Sequence, residues 1–374
     1  MKILLTGGGT GGHFYPLIAV AEKIREISDR EKILDVKLFY MSDAPYDKEA
    51  LFENQITYIA TISGKQRLYA SARNFFDLFK IALGSFHALI RLFFLYPDAV
   101  FGKGGYASFP ALFAARILGI PVIIHESDSV PGRVNKWAGK FAKKIGVSWE
   151  EAAKYFPKDR VAVVGQPIRK TIAEPAREGA FEYLKLDPSI PVIFVLGGSQ
   201  GSETINNIVV DALPELVKKY QVIHQTGAKN IDAVRARAGV VLVSDEEKKR
   251  YKPFGYLNPL SMKMSAGAAK IVISRGGSQI FEIASWGAPS IIVPIPPKIS
   301  RDQEHNAFNY ARVGAASVIE ESNLTPYMLV AEADRIMAGK WEEMHKNALA
   351  FANRTNAAET IAQALLEIGL GHEK

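Results

Sequence analysis

The sequence predicts an α/β protein: a pair of Rossmann-like, doubly wound domains. Short apolar runs end in glycine-rich loops and lead into stretches with apolar residues at helical spacing, the pattern of βαβ units on a parallel sheet. That pattern opens the chain and restarts at Pro191, after the turn at Pro167 in VVGQPIRK. A chain of 374 residues accommodates two such domains at about 150 residues each.

In the first half, Lys2–Thr6 reads as a strand feeding the loop GGGTGGH (Gly7–His13). Tyr15–Ile27 reads as a helix with Leu17, Ile18, Val20, Ala21, Ile24 and Ile27 on one stripe. Val36–Met41, Asp98–Phe101 and Pro121–His125 continue as strands, the last two running into GGYASFP and ESDSVPG. In the second half, Pro191–Leu196 is a buried strand before GGSQGS (Gly197–Ser202) and a helix that runs through Val217. Gln221–Gln225, Val240–Val243, Ile271–Ser274 and Ser290–Val293 are the strands that follow, and Ala348–Leu370 reads as a closing helix capped by Gly369.

The charge balance, 46 Lys+Arg against 39 Asp+Glu, favours acidic partners: phosphorylated small molecules, anionic membranes or nucleic acid. The absence of Cys excludes disulfides, thiolate metal sites and a Cys nucleophile. The opening MKILLTGGG is too short an apolar run for a signal peptide. The most apolar window, Ile81–Leu95, is broken by Ser85, His87 and Arg91 and falls short of the ~18–20 residues of a spanning helix, so the chain reads as soluble. Leu68–Phe94 is unusually aromatic (Tyr69, Phe75, Phe76, Phe79, Phe86, Phe93, Phe94), with Arg67, Arg73, Lys80 and Arg91 interleaved, and Lys136, Lys140, Lys143 and Lys144 recur at helical spacing. Such a surface suits an anionic bilayer, and plain core packing explains the same residues.

Three loops carry the chemistry. Gly7-x-Gly9-x-x-Gly12 has the spacing of a dinucleotide fingerprint, where glycines admit a diphosphate to the amides of a helix N-terminus. A nicotinamide cofactor would want an acid after the second strand. Asp43 is the candidate, about thirty residues on rather than the ~20 expected. GGSQG repeats the device, with Ser199 as a phosphate donor and Ser202 as a helix cap. In RGGSQIFEIASWG, the amides near Ser278 and Gln279 face an anion, and Glu282 suits two vicinal ribose hydroxyls. Arg275 either neutralises phosphate or pairs with Glu282. His125 and Glu126 lie at a strand's carboxyl end, where α/β sheets bind ligands, and Gln303 and Asn306 share a helix face suited to sugar hydroxyls.

GGGTGGHFYPLIAVAE, GGYASFP, HESDSVPGRVNK, GQPIR, GGSQGS, SRGGSQIFEIASWGAPSIIVPI and DQEHNA together resemble, in this order, the MurG family of bacterial N-acetylglucosaminyltransferases. The resemblance runs to about Ala316. It implies a GT-B fold with the active site in the cleft between the domains. The expected domains are 1–165 with the closing helix (350–374), for acceptor and membrane, and 166–349, for the donor. It further implies inverting transfer of N-acetylglucosamine from UDP-N-acetylglucosamine to an undecaprenyl-diphosphate-linked N-acetylmuramyl acceptor, making lipid II from lipid I in peptidoglycan synthesis. No cofactor, no tightly bound metal and no nucleic acid enter this reading. The implied location is peripheral, on the cytoplasmic face of the bacterial membrane. The resemblance assigns donor contacts to Thr10, Gly11, Gly12, Asp128, Arg169, Ser199, Leu257, Ser278, Gln279, Glu282 and Gln303. Acceptor contacts fall to Gly9, His13, Tyr106, His125 and Asn306, and His13 and Glu126 are the candidate general bases. The family often has Asn where this sequence has Asp128.

Overall fold

The structure, a computed structural model, describes residues 1–64, 73–198, 200–300, 302–353 and 356–372, with the side chains of 73–76 and 372 left aside. The chain forms two compact units, Met1–Arg169 with Thr355–Lys374, and Lys170–Arg354.

The first unit holds seven parallel strands: β1 (Lys2–Thr6), β2 (Lys37–Ser42), β3 (Ile56–Ala60), β4 (Ala99–Gly102), β5 (Val122–Glu126), β6 (Lys144–Val147) and β7 (Val161–Val163). Their order across the sheet is β3-β2-β1-β4-β5-β6-β7. The direction of winding reverses between β1 and β4, and it is at the carboxyl ends beside such a switch that α/β sheets bind ligands. The second unit has six strands: β8 (Val192–Leu196), β9 (Gln221–Gln225), β10 (Tyr251–Phe254), β11 (Ala269–Ser274), β12 (Ser290–Ile292) and β13 (Ala316–Val318). Their order, β10-β9-β8-β11-β12-β13, repeats the first unit's winding. Both sheets are buried on two faces, which is why β8 and β5 read as unbroken runs without alternation.

The first helix spans Gly11–Glu31, starting four residues before the expected start at Tyr15 and carrying Pro16 inside its second turn. It packs beside the last helix, Ala357–His372, through a core that includes Ile18, Ala21, Ile361 and Leu365.

Several expectations are corrected. Val240–Val243 is not a strand: residues through Val241 end the helix Ile231–Val241, with Val240 and Val243 largely exposed. The edge position beside β9 is taken by Tyr251–Phe254, whose Tyr251 is buried. The closing helix is split into Trp341–Ala352 and Ala357–His372, and Gly369 lies inside the second helix rather than capping it. The lysines from 136 to 144 do not share one helix. Arg133–Ala138 ends at Gly139, and Lys144 starts β6, where it pairs with Glu367 at 2.9 Å.

The apolar window Ile81–Leu95, expected to fall short of a spanning length, lies within the helix Arg73–Leu95, whose Asp77–Leu95 segment is long and apolar enough to cross a membrane by length and composition. One stripe of it (Asp77, Ser85, Ala88, Leu92) is buried against the helix Phe109–Ile117 and neighbouring chain. The opposite face leaves Leu78, Phe79, Leu83, Phe86, Phe93 and Phe94 more than half exposed. Residues 65–72, including Arg67 and Tyr69, lie outside the described residues.

Candidate active site

In the first unit, the loop after β1 turns into the helix at Thr10, whose backbone is extended and whose carbonyl accepts from the amides of His13 and Phe14. Thr10 Oγ1 does not cap the helix; it lies 2.8 Å from His13 Nδ1. No acidic residue occupies the first turn, so the amides of Gly11 and Gly12 keep their pull on an anion. Gly9 has φ +83°, and a Cβ there would stand 2.7 Å from Tyr106 Cε1, so only glycine lets the Tyr106 ring close over the loop. Tyr106 in turn hydrogen-bonds Asp43, and burial with that charge raises its phenol. Asp43 also accepts from Ser63 Oγ at 2.7 Å. The loops after β1, β2 and β4 are thus knitted together at one end of the sheet.

Beneath them lies a cluster of charge. Lys103, just after β4, is 1 % exposed and donates to Ser127 Oγ. Ser127 passes a hydrogen bond to Gln166 Oε1 at 3.0 Å, where Ser148 Oγ also donates. Burial pulls Lys103 down to about 8 against the opposing fields of Glu126 and Asp128. Burial, then the Lys103 charge, bring His13 to about 4, so its imidazole is neutral at pH 7. Glu126, 5 % exposed, is pushed up to about 7 by burial and Asp128. Its two oxygens accept from Asp128 N, Gly132 N and Asn135 Nδ2, each at 3.0 Å, and so hold the turn after β5. His125 is fully buried, and its Nε2 donates to the Gly165 carbonyl at 2.7 Å; burial and Lys103 hold the ring neutral. Both side chains serve the loop's geometry, and neither stands at the surface. Arg169 lies over the Tyr15 ring, 3.8 Å from its centroid.

In the second unit, the loops after β8 and β9 interlock: a Cβ at Gly201, φ +78°, would lie 1.9 Å from the Thr226 carbonyl. Ser202 caps the helix Glu203–Lys219 by accepting from Ile205 N, and it also accepts from Arg275 Nη2 at 2.5 Å. Arg275 pairs with Glu321 at 2.5 Å and donates to the Val293 carbonyl, so it is a brace between loops. Gly276 packs against the start of the helix Gln303–Arg312, where Gln303 Oε1 accepts from Ile295 N and Gln303 Nε2 stands beside Gly277. Asn306, expected at the acceptor, is 1 % exposed in this second unit and donates to the Gly276 carbonyl at 3.1 Å; it shapes the glycine turn. Ser278 precedes the short helix Gln279–Ser285, Gln279 Oε1 accepts from Ser274 Oγ, and Glu282 is half-buried one turn in. The Leu257 side chain is buried, 3 % exposed, just beyond β10. Ser199 lies outside the described residues.

Sequence reasoning missed Lys103, Asn135 and Gln166. Lys103 had one signal: it is the single charge between Asp98 and Arg116, placed at the end of a central strand.

Parallel sheets of this order, with glycine turns and helix N-termini at the carboxyl ends, define two nucleotide-binding-type α/β units, and the sequence comparisons identify them as those of a glycosyltransferase. Residues 3–147 match the glycosyltransferase family 28 N-terminal domain, and 192–365 the C-terminal domain of that family. The UDP-N-acetylglucosamine–N-acetylmuramyl-(pentapeptide) pyrophosphoryl-undecaprenol N-acetylglucosamine transferase 2 of Bacillus cereus is 36% identical over 98% of this chain and 99% of its own length. The corresponding transferase of Clostridium kluyveri is 34% identical over 95% of this chain and 97% of its own. The crystal structure of Acinetobacter baumannii MurG superposes with a TM-score of 0.71 at 23% identity, covering 98% of this chain and 99% of that one, a likeness of fold. The chain belongs to the MurG family of N-acetylglucosaminyltransferases.

Proposed function

We propose that this chain transfers N-acetylglucosamine from UDP-N-acetylglucosamine to the 4-hydroxyl of the N-acetylmuramyl unit of an undecaprenyl-diphosphate-linked acceptor, with inversion. The observation that carries the mechanism is His13: a neutral imidazole at the start of a helix whose amide end is open to anions. The acceptor oxygen bonds to the anomeric carbon as the bond from that carbon to the UDP oxygen breaks, and His13 takes the hydroxyl proton. A positioned base of this kind contributes about 10²- to 10⁴-fold. Glu126, spent on three hydrogen bonds, fits a supporting role better than that of base. The leaving diphosphate gathers charge, which helix-terminal amides and Arg169 offset. Glu282 takes the ribose hydroxyls, and Gln303 with the Gly276–Ser278 turn takes the phosphates and sugar.

The same reading places the first unit on the cytoplasmic face of the cell membrane as a peripheral protein. The support is the exposed face of the helix Arg73–Leu95, with Lys80 beside it and Lys136, Lys140 and Lys143 exposed on nearby chain. The buried stripe of that helix ties it to its own unit, which favours lying on a bilayer over crossing it.

The test is incubation with labelled UDP-N-acetylglucosamine and a short-chain lipid I analogue. Labelled disaccharide lipid is the expected product. UDP release with other lipid acceptors and none with this one would move the chain to a different lipid glycosyltransferase.

A further inference from the structure

Lys103 is a cation with no surface. Its side chain is 1 % exposed, and a Cβ at Gly7 would come within 3.1 Å of its Cβ, which puts it directly under the first glycine loop. Burying an ammonium is costly unless nearby groups compensate it. Here the compensation comes from the β5 end of the sheet: a hydrogen bond to Ser127 and the carboxylates of Glu126 and Asp128 acting through space. On its other side the charge faces two histidines, His13 above and His125 within the sheet, and lowers the proton affinity of both.

We propose that Lys103 is a positioning residue for the transfer reaction, clamping the Ser127–Asp128 loop beneath Gly7–His13. This rests on the proposed role of His13 as the base. The arrangement does two things at once. It sets one cation against two neighbouring carboxylates that would otherwise repel each other across the turn after β5. It also puts a positive field at His13, which adds to burial in lowering the proton affinity of the imidazole.

The experiment compares full-length wild type with Lys103→Met, which keeps the volume, and Lys103→Arg, which keeps the charge. The readouts are kcat, donor KM, and the NMR titration of the His13 ring, assigned among the seven histidines with His13→Gln. Lys103→Met is expected to lower kcat at least tenfold with donor KM within threefold, and to move the His13 titration up from about 4 by only part of the distance to 6.5, because burial, the larger cause, remains. Lys103→Arg is expected to hold the titration near wild type. A Lys103→Met enzyme with wild-type kcat and an unmoved His13 titration would overturn the proposal. If Lys103→Met does not fold, Ser127→Ala removes the ammonium's acceptor but leaves its charge. It should lower kcat without moving His13, and wild-type kcat in that variant would count against the clamp. Failure of the wild-type enzyme to transfer sugar would count against the proposed reaction instead. That result is read separately from the titration, which needs no substrate.

Discussion

The two units use one device, a strand ending in a glycine loop before a helix, with different surroundings. At the first loop His13 stands over Lys103, His125, Glu126 and Asp128, and the first four of these have shifted proton affinities. Around the second unit's loops the same positions are filled by hydroxyls, amides and glycine carbonyls. Its buried histidine, His224, is held neutral between Asn206 Oδ1 and the Tyr251 hydroxyl, and its buried guanidinium, Arg275, is tied to Glu321. The contrast teaches that the shared winding order sets a glycine turn and a helix N-terminus at the strand ends of both units, whereas a cluster of groups with shifted proton affinities gathers under the first, which is why the proposed proton transfer is assigned there.

The largest effect expected from this comparison is on turnover. His13→Ala should lower kcat by about 10²- to 10⁴-fold while the protein stays folded, measured by transfer to the lipid I analogue. If His13→Ala and Glu126→Gln both kept near-normal turnover, proton handling would not reside in the first unit. Next comes Glu282→Ala in the second unit. Loss of a charged acceptor of hydrogen bonds costs about 1.5–3 kcal/mol, so the donor KM should rise about 10- to 150-fold with kcat changed less, as titrated with UDP-N-acetylglucosamine.

A pH experiment sharpens the contrast further. Glu126 is raised from 4.5 to about 7 in the folded state, so the folded protein binds more protons than the unfolded chain across that window. Its contribution to stability is therefore present below pH 4.5 and lost as pH rises through 7, by about 3 kcal/mol at most for a shift of this size. The difference in Tm between wild type and Glu126→Gln should shift steadily in favour of the Gln variant from pH 5 to pH 8; a difference independent of pH would mean the carboxylate is ionised throughout. The buried histidines act in the opposite direction, below pH 6.5, and cancel in this comparison.

On the outer face, Phe93→Glu with Phe94→Glu should abolish sedimentation with anionic vesicles while leaving transfer to a water-soluble acceptor analogue within about twofold, since both side chains are more than 60 % exposed. The smallest effect belongs to Ser202→Ala. It removes a helix cap worth about 1 kcal/mol and a partner of Arg275, and should lower the stability of the second unit in urea without altering the first.

Much of the fold was legible because strand, glycine turn and helix are local patterns. The apolar runs at Lys2–Thr6, Gln221–Gln225 and Ile271–Ser274 lie on strands, and Ser202 caps the helix that its position implies. Short strands such as β7 and β13, three residues each, carry too little pattern to be read alone. Val240–Val243 shows the converse: a β-branched run with no sheet edge to join ends a helix instead. The glycine loops are visible in sequence because their backbone conformation depends on residue type and spacing. Arg275 is visible as a charge, but its partner, Glu321, is 46 residues away and set by packing.

By itself the sequence determined two wound sheets, the position of each glycine loop, and a helix start at Thr10–His13 fit for an anion, since each follows from backbone geometry over a few residues. The tertiary structure decided which ionisable groups meet. Lys103, His13 and Glu126 come from three elements joined only by the β1-β4-β5 neighbourhood of the sheet. Their proton affinities are set by burial and by fields through space, and both arise only once those strands lie side by side.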